Sequence, residues 1–226
     1  MRKWKFLNIR RLLAASVAAA LVVTAVPAGA VGFRLGAQVA GTSNSLTGDL
    51  PDEGSWEGQI SFGAGITAEL TFRPDVALSF QPSYTPRDCQ QVFRKNSRVI
   101  ATTDYELDYF SLPLLVRVTT DPEGVRWFVT AGLELGIFVD ATMTDDLGST
   151  DISDAFDSTT IGALFGAGVM VPVKRHFLTF EFRYDQGLDD ILAGEESSTD
   201  SGIDSPSVKY RGLGLLVGFL FTLGGE

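Results

Sequence analysis

Alternation with a period of two is the strongest constraint in this chain. Over residues 59–72, Ile60, Phe62, Ala64, Ile66, Ala68, Leu70 and Phe72 form one series; Gln59, Ser61, Gly63, Gly65, Thr67, Glu69 and Thr71 form the other. Successive strand side chains point to opposite faces, so such a segment has one greasy face and one small, polar face. Seven further runs repeat the pattern, with apolar series opening at Phe33, Val76, Phe110, Trp127, Ile161, Leu178 and Leu213. Their opposite faces hold, among others, Arg34 and Gln38, Ser79 and Gln81, Ser111 and Arg117, Gly132 and Glu134, Gly166 and Gly168, Glu181 and Arg183, and Gly214 and Gly218. Leu115 is an exception, an apolar residue in a polar series.

The connectors alternate as well. Short ones cover 73–75, 120–125 and 172–175, rich in Pro, Gly and Asp or in bases; long ones cover 43–57, 86–104, 141–158 and 189–207. An even strand number with short turns at one end and long loops at the other predicts an all-β fold, an eight-stranded antiparallel up-and-down transmembrane β-barrel. Both termini then lie on the short-turn, periplasmic side.

A soluble, lipocalin-like carrier in the periplasm shows the same alternation with the faces reversed. Three features select the membrane arrangement. An eight-stranded barrel has an interior only just wide enough for side chains, so the glycine series belongs inside and the Phe/Leu series outside. Glu69, Arg117, Glu134, Glu181 and Arg183 sit mid-strand in the polar series. Pointed inward, they neutralise one another as a structural ion network in a narrow lumen. Finally, Trp56, Tyr84, Tyr109, Trp127, Tyr184 and Tyr210 lie near strand ends, as interfacial aromatic girdles do. A closed barrel also pairs every backbone polar group, which lipid demands. So small a bore, filled with ions, excludes a general diffusion porin, which needs ~16 strands.

The first 30 residues read as an address. Arg2, Lys3, Lys5, Arg10 and Arg11 precede an apolar stretch from Leu12 to Val26, followed by Pro27-Ala28-Gly29-Ala30. This is the pattern of a secretory signal peptide cut after Ala30; the apolar run falls short of the ~20 residues of a membrane-spanning helix. The expected organisation is a signal peptide over 1–30 and a barrel domain over 31–226, exported through the periplasm to the cell outer membrane.

Charge and composition narrow the chemistry. The chain carries 18 Lys+Arg, 28 Asp+Glu and a formal net charge of −10, which argues against a nucleic-acid partner. Loops 43–57, 141–158 and 189–207 together hold fifteen acids and no base, whereas 86–104 carries Arg87, Arg94, Lys95 and Arg98 against Asp88 and Asp104. The acidic loops lack the spacing of a calcium loop and suit a solvated, self-repelling cap. A single cysteine, Cys89, and a single histidine, His176, remove disulfide frameworks and most catalytic and metal constellations. His176 is expected at the periplasmic rim in the lipid-facing series, and Cys89 in a long loop as a free thiol open to intermolecular pairing. A rival reading makes the chain an outer-membrane enzyme using Asp185, Asp189 and Asp190 at the outer rim, since paired carboxylates do acid–base work. Nothing in the sequence holds them in a pocket, and no catalytic residue, cofactor or metal site is assigned. Gly212-x-Gly214-x-x-x-Gly218 is read as strand interior, because no helix follows it.

Three stretches carry a family resemblance: Asp108-Tyr109-Phe110-Ser111-Leu112-Pro113-Leu114-Leu115-Val116-Arg117, Gly162-Ala163-Leu164-Phe165-Gly166-Ala167-Gly168-Val169 and Arg183-Tyr184-Asp185-Gln186-Gly187-Leu188. Over roughly 33–223 the chain resembles the PorT-like outer-membrane β-barrel family of Bacteroidota-type bacteria. The resemblance implies a non-enzymatic barrel without cofactor, whose partners are outer-membrane lipid and a protein met through the surface loops or the secretion machinery. The chain ends Thr222-Leu223-Gly224-Gly225-Glu226, so Phe221 is the nearest candidate for the terminal aromatic that many barrels carry.

Overall fold

The computed structural model describes residues 32–47, 54–95, 98–120, 124–145, 148–155, 157–189 and 209–224. The signal segment expected over 1–30 lies outside the described residues. Eleven strand segments follow one another: β1 Gly32–Thr47, β2 Gly54–Arg73, β3 Val76–Phe80, β4 Ser83–Pro86, β5 Cys89–Lys95, β6 Arg98–Thr119, β7 Arg126–Asp145, β8 Gly148–Asp151, β9 Thr159–Val173, β10 His176–Gly187 and β11 Lys209–Gly224. All pairings are antiparallel, and β1 pairs with both β2 and β11. The remaining ladders join β11 to β10, β10 to β9, β9 to β7 and β7 to β6. β3, β4 and β5 each bridge β2 to β6. These three segments run end to end as one wall, so the ring closes with eight walls and no open edge inside the membrane. β8 folds back on β7 at the outer end.

Followed round the ring through paired residues, the register leaves β7 at Arg126, passes Met170, Thr179, Gly218, Gln38, Gly65, Ser83 and Ser111, and returns at Gly136, ten residues on. At ~3.3 Å per residue and ~4.8 Å between strands, a shift of ten over eight walls tilts the strands by about 40°.

The faces divide as the alternation requires. Phe62 is 77% exposed, and Ile60, Ile66, Val129, Phe165, Phe182 and Leu215 also stand exposed on the outer surface. Their neighbours Ser61, Thr67, Glu69, Thr130, Glu181 and Arg183 are buried. Leu115, together with Leu164, Leu216 and Leu220, is buried on the inner side, so a few leucines fill the bore between the ions. Gly166 shows why the inner series needs glycine: an added Cβ would lie 2.4 Å from both Glu181 Oε1 and Thr130 Oγ1.

Several loop expectations are corrected. The segment 86–104 is mostly sheet, because β5 and the first part of β6 form a hairpin that rises beyond the apolar band. β1, β2 and β7 likewise run into the intervals 43–57 and 141–158. Interval 189–207 lies outside the described residues except for Asp189. Polar residues break the apolar series of the long connectors and give them the composition of loops; above the lipid a strand has no need of a greasy face.

Aromatic placement is corrected in part. Trp127 stands 66% exposed on the outer wall, and Tyr84 and Tyr184 are exposed there too. Tyr109 and Tyr210, by contrast, are 1% and 2% exposed and point into the bore. Trp56 packs edge-on against Tyr105, ring centroids 5.4 Å apart, beside the outer core cluster. His176 caps the periplasmic rim, its ring 5.2 Å from that of Phe221 and its Nδ1 accepting from the Thr222 amide at 3.3 Å.

Candidate functional site

The bore is built in layers. At the periplasmic end Phe128, Met170, Phe177 and Leu220 form an apolar floor. At the outer end Leu46, Cys89, Leu107, Tyr109, Ala141 and Tyr210 form an apolar cap. Between them lie two ionic clusters.

The inner cluster centres on Glu69. Its Oε1 accepts from Arg34 Nη1 at 2.5 Å, and its Oε2 is paired with Arg117. Arg117 reaches Glu181 at 3.9 Å, and Arg183 Nη2 lies 2.8 Å from Glu181 Oε1. Glu181 also accepts from Thr130 Oγ1 at 2.9 Å, and Arg183 donates to Gln81 Oε1 at 2.7 Å. The guanidinium carbon of Arg117 sits 4.5 Å above the Phe128 ring, so this cluster rests on the apolar floor.

The outer cluster centres on Arg87, which is paired with Glu134. Its guanidinium carbon lies 3.7 Å from the Tyr210 ring centroid and 4.3 Å from that of Tyr109. Tyr210 closes the group by donating to Glu134 Oε1 at 3.1 Å. A charge held between two ring faces and a carboxylate is well satisfied without water.

Of the five charged residues assigned to the lumen from sequence, Glu69, Arg117, Glu181 and Arg183 lie together, and Glu134 pairs instead with Arg87. Sequence reasoning misses two participants, Arg34 on the polar face and Arg87 in an expected loop. It also misses that Asp185, expected at the rim, is buried in the bore. All three are legible on parity: Arg34 shares its face with Gln38, Arg87 continues Ala77, Ser79 and Gln81, and Asp185 continues Thr179, Glu181 and Arg183. Of the expected rim cluster of Asp185, Asp189 and Asp190, the two described members have different surroundings. Asp185 is buried in the bore, Asp189 accepts from the Ile161 amide at 3.1 Å, and Asp190 lies outside the described residues.

Cys89 is corrected too. It is 1% exposed within the outer cap, and burial pushes its thiol up to about 12. A neutral, enclosed thiol is unsuited to intermolecular pairing.

Beside Asp185 the bore widens into a cavity of about 30 Å³, lined in part by Gln38, Thr42, Glu134 and Arg183. That holds water and nothing larger. Among the described residues no group of three His, Cys, Asp or Glu side chains is arranged to hold a metal ion.

Outside the bore, the described acids of 141–158 serve local turns. Asp145 accepts from the Gly148 amide at 3.1 Å, Asp151 from the Ser153 amide at 2.9 Å, and Asp140 from Ser153 Oγ at 2.9 Å. The backbone bond from Ser153 holds the Asp151 carboxyl below its ordinary value.

Solved structures of the same architecture match most of the chain. Neisserial surface protein A aligns at a TM-score of 0.50 and 19% identity, covering 84% of this chain and 97% of its own. OprG from Pseudomonas aeruginosa aligns at 0.45 and 13% identity, covering 85% and 96%. The outer membrane protease OmpT from Escherichia coli aligns at 0.47 and 8% identity, covering 88% and 98%. The likeness to Neisserial surface protein A, at 19% identity, is one of fold. No curated protein sequence matches significantly. Residues 28–193 match the family model described as an outer membrane protein beta-barrel domain. The chain therefore belongs to the outer membrane protein beta-barrel domain family, and its place is the outer membrane.

Proposed function

We propose that this protein is a non-enzymatic, closed scaffold that presents its outer strands and loops to a protein partner. The observation that carries the reading is the filled bore: two ionic clusters between an apolar floor and an apolar cap, with a cavity of only about 30 Å³. A barrel so filled offers no path for solutes, which leaves its outer end as the working surface. Rigid walls fix the loops, and loop contacts supply recognition. The five lumen residues Glu69, Arg117, Glu134, Glu181 and Arg183 are assigned a structural role in this scheme. The outer-membrane lipid is the solvent of the Phe/Leu face.

The test has two arms. In planar bilayers the purified barrel is expected to show no steady conductance; a stable open channel would refute the closed scaffold. In cells, crosslinking through cysteines introduced on the outer hairpin, at Val99 and Ile100, should capture a defined protein. Val99 and Ile100 stand exposed on consecutive positions of β6, at a register shift of the hairpin, an unusual placement for aliphatics beyond the membrane. The PorT-like resemblance adds a narrower form of the same reading, an accessory to secretion of surface proteins. Deleting the gene should then reduce surface display of secreted proteins, and unchanged display would remove this narrower form.

A further inference from the structure

The outer wall is convex, and most of its outward series is large apolar side chains. Near the periplasmic rim β6, β7 and β9 enclose an apolar groove of about 400 Å³, bordered by Val118, Thr119, Trp127, Val129, Ala167 and Gly168. The volume falls within the ~300–1,000 Å³ of small-molecule sites. The outer series of β9 reads Phe165, Ala167, Val169, and Ala167 pairs with Val129 while Val169 pairs with Trp127. One small side chain among large ones makes the floor, and Trp127 makes a wall.

That wall is fixed by the hairpin closure. Thr120 donates its amide to the Trp127 carbonyl at 2.8 Å, and its hydroxyl accepts from the Trp127 amide at 3.0 Å. These bonds hold the backbone at the position that carries the indole.

The fold states the medium over this groove: it lies in the lipid-facing series, at the end nearest the short turns. β9 then runs on to Val173, and the two-residue turn to β10 is Lys174-Arg175, both exposed. Lys174 adopts φ 57°, a left-handed conformation that presents this base at the tip of a tight turn. From Val169 to Lys174 is five residues, at ~3.3 Å each roughly 17 Å. That is about one leaflet of a ~30 Å hydrocarbon core. The acid of another short turn, Asp75, is engaged by Arg73 at 3.4 Å. Asp121 and Glu123, in the turn beside the groove, lie outside the described residues.

We propose that this groove and turn form a binding site for an anionic phospholipid of the inner leaflet. One acyl chain lies along Trp127, Val129 and Ala167, and the phosphate meets Lys174 and Arg175. An apolar groove in the lipid-facing series, with two bases on the turn further down the same strand, offers an anionic lipid a chain contact and a headgroup contact at once. No covalent step is involved.

The test uses the full barrel, purified, stripped of lipid in detergent and titrated with phosphatidylglycerol under native mass spectrometry. Phosphatidylethanolamine and glycerol phosphate serve as parallel probes, and heat-modifiable gel mobility verifies folding of each variant. One phosphatidylglycerol is expected to be retained preferentially. Ala167→Leu, which fills the floor, should weaken retention by roughly tenfold. Ala37→Leu, on the lipid-facing side of β1 away from the groove, should leave it unchanged. Lys174→Glu with Arg175→Glu should abolish the preference for phosphatidylglycerol over phosphatidylethanolamine.

Equal retention by wild type, Ala167→Leu and Ala37→Leu would overturn the proposal, as would equal loss in both fillings. Binding of glycerol phosphate as tight as that of the lipid would overturn it too, by showing an anion site that ignores the groove. An intact preference after charge reversal removes the headgroup half of the site.

Discussion

The two ionic clusters of the bore are alike in chemistry and unlike in construction. The inner one is redundant: Glu69 has both Arg34 and Arg117, and Glu181 is approached by both Arg117 and Arg183. Its members come from the unbroken strands β1, β2, β6 and β10. The outer one hangs on a single base, Arg87, between Tyr109, Tyr210 and Glu134. Arg87 comes from the break between β4 and β5, directly after Pro86, in a wall that Pro82 already interrupts between β3 and β4. The difference teaches that a narrow barrel can neutralise buried charge either by sharing or by enclosure. Sharing tolerates loss of one partner, whereas enclosure does not.

The sharpest way to break that contrast is to remove one base from each cluster. Arg87→Leu leaves Glu134 with no cationic partner among the described residues, and an orphaned buried charge costs ~3–5 kcal/mol. Arg117→Leu leaves Glu69 with Arg34 and Glu181 with Arg183, so the loss should be ~1–3 kcal/mol. Urea unfolding of the refolded barrel reads both. Adding Glu134→Leu to Arg87→Leu should restore most of the stability, since apolar replacement of a whole buried pair is often near neutral. Equal losses at the two sites, or no rescue, would erase the distinction.

A second contrast concerns the outer cap. Cys89 is expected to resist a water-soluble maleimide for as long as the barrel stays folded and to react at once in urea. Fast labelling of the folded protein would mean the cap is open. The smallest expected effect lies outside the membrane, at Asp151. Its folded pKa is below the ~3.9 of a free aspartate, so its bond to the Ser153 amide supports the turn at neutral pH. That support fades as pH falls through the folded value. Amide exchange at Ser153, corrected for its intrinsic pH dependence, should therefore show less protection at low pH than at neutral pH. Equal protection would show that the turn does not depend on the carboxylate.

The eight walls and their inward faces were legible because period two is a property of every residue in a run. Ile60 to Phe72 could not be shifted by one without turning Glu69 to the lipid. The outer cluster was not legible because the wall holding Arg87 is broken into three short segments with two prolines, which read as a loop. Tyr109 and Tyr210 lie near strand ends, as girdle residues do, yet their odd and even positions place them inside. Tyr109 follows Ser111 and Arg117 in parity, and Tyr210 follows Gly212 and Gly214. Parity was the better guide than distance from the strand end. What parity cannot supply is how high each strand rises above the lipid, since polar sheet and polar loop share a composition.

The central claim is that hydrocarbon contacts the Phe/Leu series while the glycine and ion series fills a closed bore. Single tryptophans introduced at Phe62, Phe165, Phe182 and Leu215, and separately at Phe128, test it in a background with Trp4→Phe, Trp56→Phe and Trp127→Phe. Fluorescence is read in bilayers of chain-brominated lipid. The first four should be strongly quenched and the Phe128→Trp probe protected. Protection at the first four, with quenching at position 128, would contradict the account.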